Sequence, residues 1–340
     1  MTAPLRTVER EALSEPRPLI DGASFILDTP AEVDAVWGDS DGAVLWAAGE
    51  PLMVAAPQGV GKTTLAQRLI LGRIGLCPTL LGMPVAHDER RVLYIAADRP
   101  KQAARSFARM VSEEDRAALE ERLRLWRGPL PVRLSDAGSE TFILELCESA
   151  EAGTIVFDSL KDIASSLSEE APASHVSQVF QALVAADIEV LALHHQRKAT
   201  ADNKKPTSLN DVYGSTWLTA GMGSVLLLWG EPGDTLVELR HLKQPADPVG
   251  PYTIIHDHLR GLPALHQPPD PAVLLRQAGA DGLTVAELAG SIFKKARPEP
   301  NEIEKARRKL DKLVKAGRAT HVASLIPTDA GCYVWAEEAP

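Results

Sequence analysis

AAPQGVGKTT, residues 55–64, stands directly after the apolar run Leu52, Met53, Val54. It matches a phosphate-binding loop with Ala56 in the first glycine position, then Pro57, Gln58, Gly59 and Val60, then Gly61, Lys62, Thr63 and a further Thr64. The spacing has a physical cause. A loop that wraps a phosphate must turn several backbone N–H groups inward, which permissive glycines allow, and the helix that follows adds the positive end of its dipole. Alanine is tolerated in the first position wherever φ stays below zero. Lys62 is expected to reach the terminal phosphates, and the Thr63 hydroxyl to sit on Mg²⁺. Residues Ala56 to Thr64 are thus the expected nucleotide-binding set, because an apolar strand before them and a helix after them make a chance match a poor explanation.

A bound triphosphate calls for further groups at the ends of neighbouring strands. TIVFDSL supplies Asp158 after the run Thr154 to Phe157, where a carboxylate can hold the water shell of the metal. VLYIAADRP supplies Asp98 as the candidate base or water-positioning group; its side chain is one methylene shorter than that of Glu, so its reach is shorter. VLALHHQRK carries His194 and His195 at a third strand exit, with His195 preferred as the γ-phosphate contact and His194 as a packing residue. Arg197 and Lys198 suit phosphate, DNA or solvent equally. The polar, aperiodic stretch that follows reads as a loop, and its Lys204 and Lys205 are candidates for DNA contact. HDH at 256–258 has metal-like spacing but no Cys or carboxylate constellation around it, and it reads as surface.

Between residues 52 and 258, short apolar runs alternate with amphipathic stretches: LMVA, VLYIA, TIVF, VLAL, SVLLLW, TLVEL and YTII. Runs with so little polar alternation are strands buried on both faces, which predicts an α/β fold with a mostly parallel central sheet. Helices are predicted over 62–75, 101–110, 113–123, 140–150 and 174–186, and the last two strands are more hairpin-like. The Pro-rich LPALHQPPDP at 262–271 marks a boundary. The expected layout is a partly disordered lead-in over 1–40, an NTPase core over 41–262, and a small domain over 268–340. That last part shows three helical stretches, opened at Thr284 and Asn301 for the second and third, and then a hairpin, the outline of a winged helix. On its third helix Ile303, Ala306, Leu310, Leu313 and Val314 form an apolar face, while Arg307, Arg308, Lys309 and Lys312 spread over the rest.

A net charge of −10 argues against non-specific coating of nucleic acid, which needs clustered Lys and Arg. The asymmetry is regional, with ten basic against four acidic residues between Lys294 and Arg318. Arg307, Arg308 and Lys312 are therefore DNA-contact candidates. No apolar run approaches the length of a membrane helix and the N-terminus has no signal-peptide h-region, so a cytoplasmic protein is expected. Three cysteines far apart suggest neither a disulfide framework nor a metal knuckle.

With APQGVGKTT, YIAADRP, TIVFDSL, LALHHQRK and GSTWLTAGMGSVLLLW in this order, residues 45–258 resemble the RecA-like ATPases, in the replicative-helicase branch of RepA-like plasmid, phage and mobile-element proteins. The resemblance implies a RecA-type core, ATP and Mg²⁺ as ligands, a homo-oligomeric ring, commonly a hexamer, with ATP between subunits, and translocation on single-stranded DNA. Matched residue by residue, it makes Lys62 and Thr63 the loop ligands, Asp158 the metal-side aspartate and His195 the γ-phosphate sensor. Two departures stand out. Asp98 occupies the place of the family's usual catalytic glutamate. The family's trans-acting Lys and Arg, two residues apart, are represented by Lys243 followed by Pro245, with Arg240 as the replacement candidate. The expected activity is that of a DNA-dependent motor. The alternatives are an ATP-regulated initiator that binds a duplex site through its winged helix, and a recombinase-like filament former.

Overall fold

The computed structural model describes residues 20–30, 32–40, 42–196, 206–323 and 331–336. Lys204 and Lys205, with Arg197 and Lys198, lie outside the described residues. A nine-stranded sheet forms the centre. Its strands are β1 Leu52–Ala56, β2 Arg91–Ala96, β3 Leu123–Arg127, β4 Ala152–Asp158, β5 Glu189–His195, β6 Ser224–Trp229, β7 Leu236–Lys243, β8 Tyr252–Asp257 and β9 Leu262–Leu265. They lie in the order β9-β8-β7-β6-β1-β5-β4-β2-β3. From β6 to β3 all pairs are parallel, and from β6 to β9 all are antiparallel.

The two kinds of strand differ in sequence as their surroundings demand. Every residue of β1 is buried, because helices cover both faces, whereas β7 alternates half-buried and buried positions. One face packs under α1 Lys62–Arg73 and α2 Pro100–Phe107 through Leu65, Leu69, Ile70 and Phe107. The other packs on α3 Ser139–Ala150 and α4 Glu170–Ala185 through Ile143, Val176, Phe180 and Leu183. The chain leaves β1 for β2, three places away in the sheet, and leaves β5 for β6 on the opposite side of β1. In such sheets the crevice beyond the carboxyl ends of the strands is where ligands bind.

One expectation is corrected, and two others gain detail. The helix expected over 113–123 stops at Arg122, and Leu123–Arg127 (LRLWR) is the edge strand β3, whose alternation of apolar residues with arginine lacks a continuous apolar run. The lead-in is folded at its end: Ala35–Gly38 pairs with Val44–Ala47, and Trp37 and Trp46 are fully buried. The sheet also runs past residue 262, because Leu262–Leu265 pairs with β8 and Pro263 is acceptable on an edge strand.

Beyond the sheet come α5 Pro271–Ala278, β10 Leu283–Thr284, α6 Val285–Phe293, α7 Pro300–Lys315, β11 Ala319–Val322 and β12 Cys332–Trp335. The three strands pair antiparallel in the order β10-β12-β11 over a core of Leu275, Leu288, Ile292, Ala306, Leu310 and Tyr333. Thr284 and Glu287 form a reciprocal cap at the start of α6. The cap of α7 is Glu299, two residues before the expected Asn301, with Pro300 in the first turn. Arg307, Arg308 and Lys312 are exposed on α7, and Glu304 pairs with the first two. The cysteines are free, and no described helix is long and apolar enough to cross a membrane.

Candidate nucleotide site

Four neighbouring parallel strands, β1, β5, β4 and β2, end at one rim of the sheet, and each hands over to a group predicted for phosphate chemistry. After β1 the loop turns at Gly59 and Gly61, with φ of +82° and +106°, conformations that side chains disfavour. Ala56 closes β1 and is not among the positive-φ residues, as its place in the loop requires. Asp158 closes β4 beside Ala96 of β2, and His195 closes β5 beside Ala56. Asp98 follows β2 by two residues.

These groups line a single cleft of about 600 Å³. Its wall includes Gln58, Gly59, Gly61, Lys62, Thr63, Thr64, Asp98, Asp158 and His195. Of the loop residues expected to bind nucleotide, Ala56 and Val60 are buried beneath it, and Pro57 is half-buried. His194 faces the other way: it is fully buried and its Nε2 donates to the Tyr213 carbonyl, 2.7 Å away. Successive residues of a strand point to opposite faces, which separates the two histidines. Burial first, with help from the Lys62 charge, lowers His195 to about 4, so the imidazole is neutral at pH 7 and can donate one hydrogen bond to a phosphate oxygen.

The electrostatics are those of a site built for a ligand. Burial holds the Lys62 ammonium below its ordinary value, and the nearby Asp158 only partly offsets this. Burial also pushes the Asp158 carboxyl up, opposed by hydrogen bonds from Tyr94 and Thr63. A polyanion would relieve the first and a divalent cation the second. Asp158, with the Thr63 hydroxyl bonded to it, is the pair that fits Mg²⁺. Such an ion would supply charge neutralisation on the terminal phosphates.

Several residues at the site went unnoticed in the sequence. Tyr94, inside β2, donates from Oη to Asp158 Oδ2 at 2.7 Å and so orients the carboxylate. Ser159 donates to Asp162 at 2.6 Å, and Lys161 and Asp162 both line the cleft. The α2 segment adds Arg99 at its N-cap, Arg105 in its last turn and Arg109 just beyond its end. His256 corrects the reading of HDH as surface. It is 4% exposed, its Nε2 lacks a partner, and a Cβ on Gly61 would lie 2.8 Å from its Cε1. Gly61 therefore answers two demands, a left-handed φ and room for an imidazole.

Arg240 and Lys243 lie on β7, outside the cleft. Lys243 Nζ donates to the Ala220 carbonyl at 2.7 Å, and Arg240 pairs with Glu238.

Loop, desolvated lysine and oriented carboxylate at the rim of a parallel sheet define a P-loop nucleoside triphosphatase. A family model described as an AAA domain matches residues 13–201, more than half the chain, and the protein belongs to that family of ATPases. A solved structure described as an ATPase domain is similar over 65% of this chain and 87% of its own, at 14% identity and a TM-score of 0.45. No curated protein matches.

Proposed function

We propose that the protein is an ATP-driven DNA motor, a helicase or translocase of the RepA-like kind from a plasmid, phage or mobile element, acting in the cytoplasm. In this reading chains assemble into a ring, with six as the expected number. ATP and Mg²⁺ sit near subunit boundaries, with Arg240 and Lys243 turned to a neighbouring subunit. Lys62 and Thr63 hold the triphosphate, Asp158 the metal, Asp98 positions the attacking water, and His195 senses the γ-phosphate. Lys204 and Lys205 contact single-stranded DNA.

The observation that carries the reading is how the chain following His195 returns to it. Tyr213 N donates to the His195 carbonyl at 3.1 Å, and His194 Nε2 donates to the Tyr213 carbonyl. A shift of His195 on γ-phosphate loss would thus be felt by the segment leading into Tyr213. Tyr213 and Trp217 are 42% and 50% exposed, unlike the buried Trp37 and Trp46, and exposed aromatics suit stacking on unpaired bases.

The test is ATP hydrolysis with and without single-stranded DNA, followed by strand separation on a forked duplex. Several-fold stimulation is expected, and assembled rings that show none count against the motor.

The exposed basic face of α7, on a C-terminal unit we read as a winged helix, favours a second reading. Here Arg307, Arg308 and Lys312 contact duplex DNA and ATP sets the oligomeric state of an initiator. A sequence-specific footprint on duplex DNA, with no unwinding, would support it over the motor.

A further inference from the structure

We infer that the outward face of α7 grips the phosphate backbone of duplex DNA without reading its sequence, through the stripe Lys305, Arg308, Lys309, Lys312 and Lys315. The inference rests on the reading that α7 meets a duplex, and goes beyond it in assigning the residues and the kind of duplex, one of any sequence. It separates the grip from the choice of a site: a motor pulling on one strand gains a second hold that works wherever the motor stands.

Four observations lead there. First, the stripe is continuous. Its five residues recur at helical spacing, all are exposed, and they lie opposite Ala306 and Leu310, which α7 buries in the core. From Lys305 to Lys315 the stripe runs roughly 15 Å, a length over which a duplex presents about nine phosphates. Arg307 lies off it, on the flank that carries Asp311 one turn on.

Second, the carboxylates of the region are engaged elsewhere. Glu299 and Glu302 hold Lys295 at 3.1 and 2.9 Å, Asp311 accepts from Tyr333 Oη at 2.9 Å, and Glu304 pairs with Arg307 and Arg308. The side chains of Lys305, Lys309, Lys312 and Lys315 are left without an ion-pair partner among the described residues.

Third, the chemistry of the stripe suits phosphate. A lysine is a hydrated point charge on a flexible stem, which follows a phosphate but lacks the planar fork that fixes a base edge. The one guanidinium on the stripe, Arg308, is held by Glu304 at 3.2 Å. A lasting protein contact has an apolar centre from which lysine is depleted, and no large apolar residue of α7 is exposed. Single strands are held by stacking on aromatic rings, and α7 has none. A duplex offers both the phosphates and a groove that admits a helix.

Fourth, the rest of the chain is acidic. Ten basic and four acidic residues between Lys294 and Arg318 make a net of +6, so against −10 for the whole chain the remainder carries −16. Attraction for a polyanion is thereby concentrated at α7.

The experiment measures binding of the full chain to two labelled duplexes of equal length and unrelated sequence, and to a single strand of that length, by fluorescence anisotropy over a salt series. The two duplexes should bind within about twofold of each other, and the logarithm of affinity should fall against that of salt with a slope of about −4, as four to five neutralised phosphates require. The double variant K309A/K312A should weaken both duplexes by the same factor, roughly tenfold at low salt, and make the slope shallower by about 2. Its melting temperature and its single-strand binding should match wild type. K309R/K312R should keep both the affinity and the slope, and the exposed control K101A should match wild type throughout.

A preference for one duplex above about tenfold overturns the inference while leaving α7 a duplex reader. Duplex binding that K309A/K312A leaves intact also overturns it, as does a loss in that variant confined to the single strand. If neither duplex binds, the reading of α7 as a duplex contact falls with the inference, a result distinct from sequence-selective binding, and the ATPase reading of the cleft stands in every case.

Discussion

The two rims of the central sheet treat a buried cation in opposite ways. Where β4 and β5 begin, every nitrogen of the Arg73 guanidinium is answered by the chain itself. Its Nη2 lies 2.9 Å from Asp88, its Nη1 donates to the Ala86 carbonyl at 2.6 Å, and its Nε donates to Thr154 Oγ1 at 3.2 Å. Thr154 in turn donates to Asp88 at 3.0 Å. Where β1, β5, β4 and β2 end, Lys62 is desolvated without an ion-pair partner among the described residues, and His256 Nε2 and Gln196 Oε1 are buried and unpartnered. Glu189 Oε2 and His241 Nδ1 at the first rim are also buried and unpartnered, so the contrast lies in the two cations: Arg73 is answered by its own chain and holds the fold, whereas Lys62 is left for a ligand to answer.

The sharpest way to break this comparison is to cut the satisfied rim. Arg73→Met leaves the buried Asp88 with only the half-exposed Arg90, 3.7 Å away, as a cation and should destabilise the protein by about 3 kcal/mol in urea titration. ATP affinity of the folded fraction should be unchanged. A loss of affinity with no loss of stability would mean the rims had been assigned the wrong way round.

Acidification probes both rims through histidine. Burial lowers His194, His195, His241 and His256 each to about 4, below the ordinary value near 6.5 that the unfolded chain shows. Between those two values the unfolded chain binds the extra protons, so the stability these groups contribute is present above about pH 6.5 and is lost as pH falls toward 4. Melting temperature should therefore be level above neutrality and decline steadily below it. A melting temperature that held constant from pH 7 to pH 4.5 would contradict the burial of these rings.

The smallest change acts at the open rim alone. Tyr94→Phe removes one hydroxyl bond to the Asp158 carboxylate, and bonds to charged groups contribute about 1.5–3 kcal/mol. It should raise the Mg²⁺ concentration needed for half-maximal turnover by roughly tenfold at the lower end of that range, with the melting temperature little altered. An unchanged Mg²⁺ requirement would show that Asp158 needs no such orientation.

Much of the open rim was legible because each of its groups sits in a contiguous motif at a strand end. AAPQGVGKTT, TIVFDSL and LALHHQRK each carry an apolar run and a polar terminus, and a parallel sheet brings such termini to one edge. The α2 wall was hidden because Arg99, Arg105 and Arg109 read locally as surface charge on an amphipathic helix, and only its docking near β2 turns them to the cleft. His256 was misread because its burial depends on the β8 strand end meeting Gly61, a contact no local pattern records. Tyr94 was concealed by its neighbours, since an aromatic within an apolar strand reads as core until its hydroxyl is found on Asp158. β3 escaped notice because its arginines interrupt the apolar run, as befits an edge strand.

The claim on which the rest depends is that the open rim is completed by a magnesium-bound nucleoside triphosphate. Isothermal titration of the full chain with a non-hydrolysable ATP analogue and Mg²⁺ tests it most directly, with Lys62→Ala alongside. Saturable binding of one analogue per chain is expected, weakened at least about 100-fold in Lys62→Ala while its melting temperature stays at or above that of wild type, since removing a desolvated cation relieves strain on the empty fold. Well-folded wild type that takes up no analogue, or a Lys62→Ala variant that binds it equally well, would contradict the account.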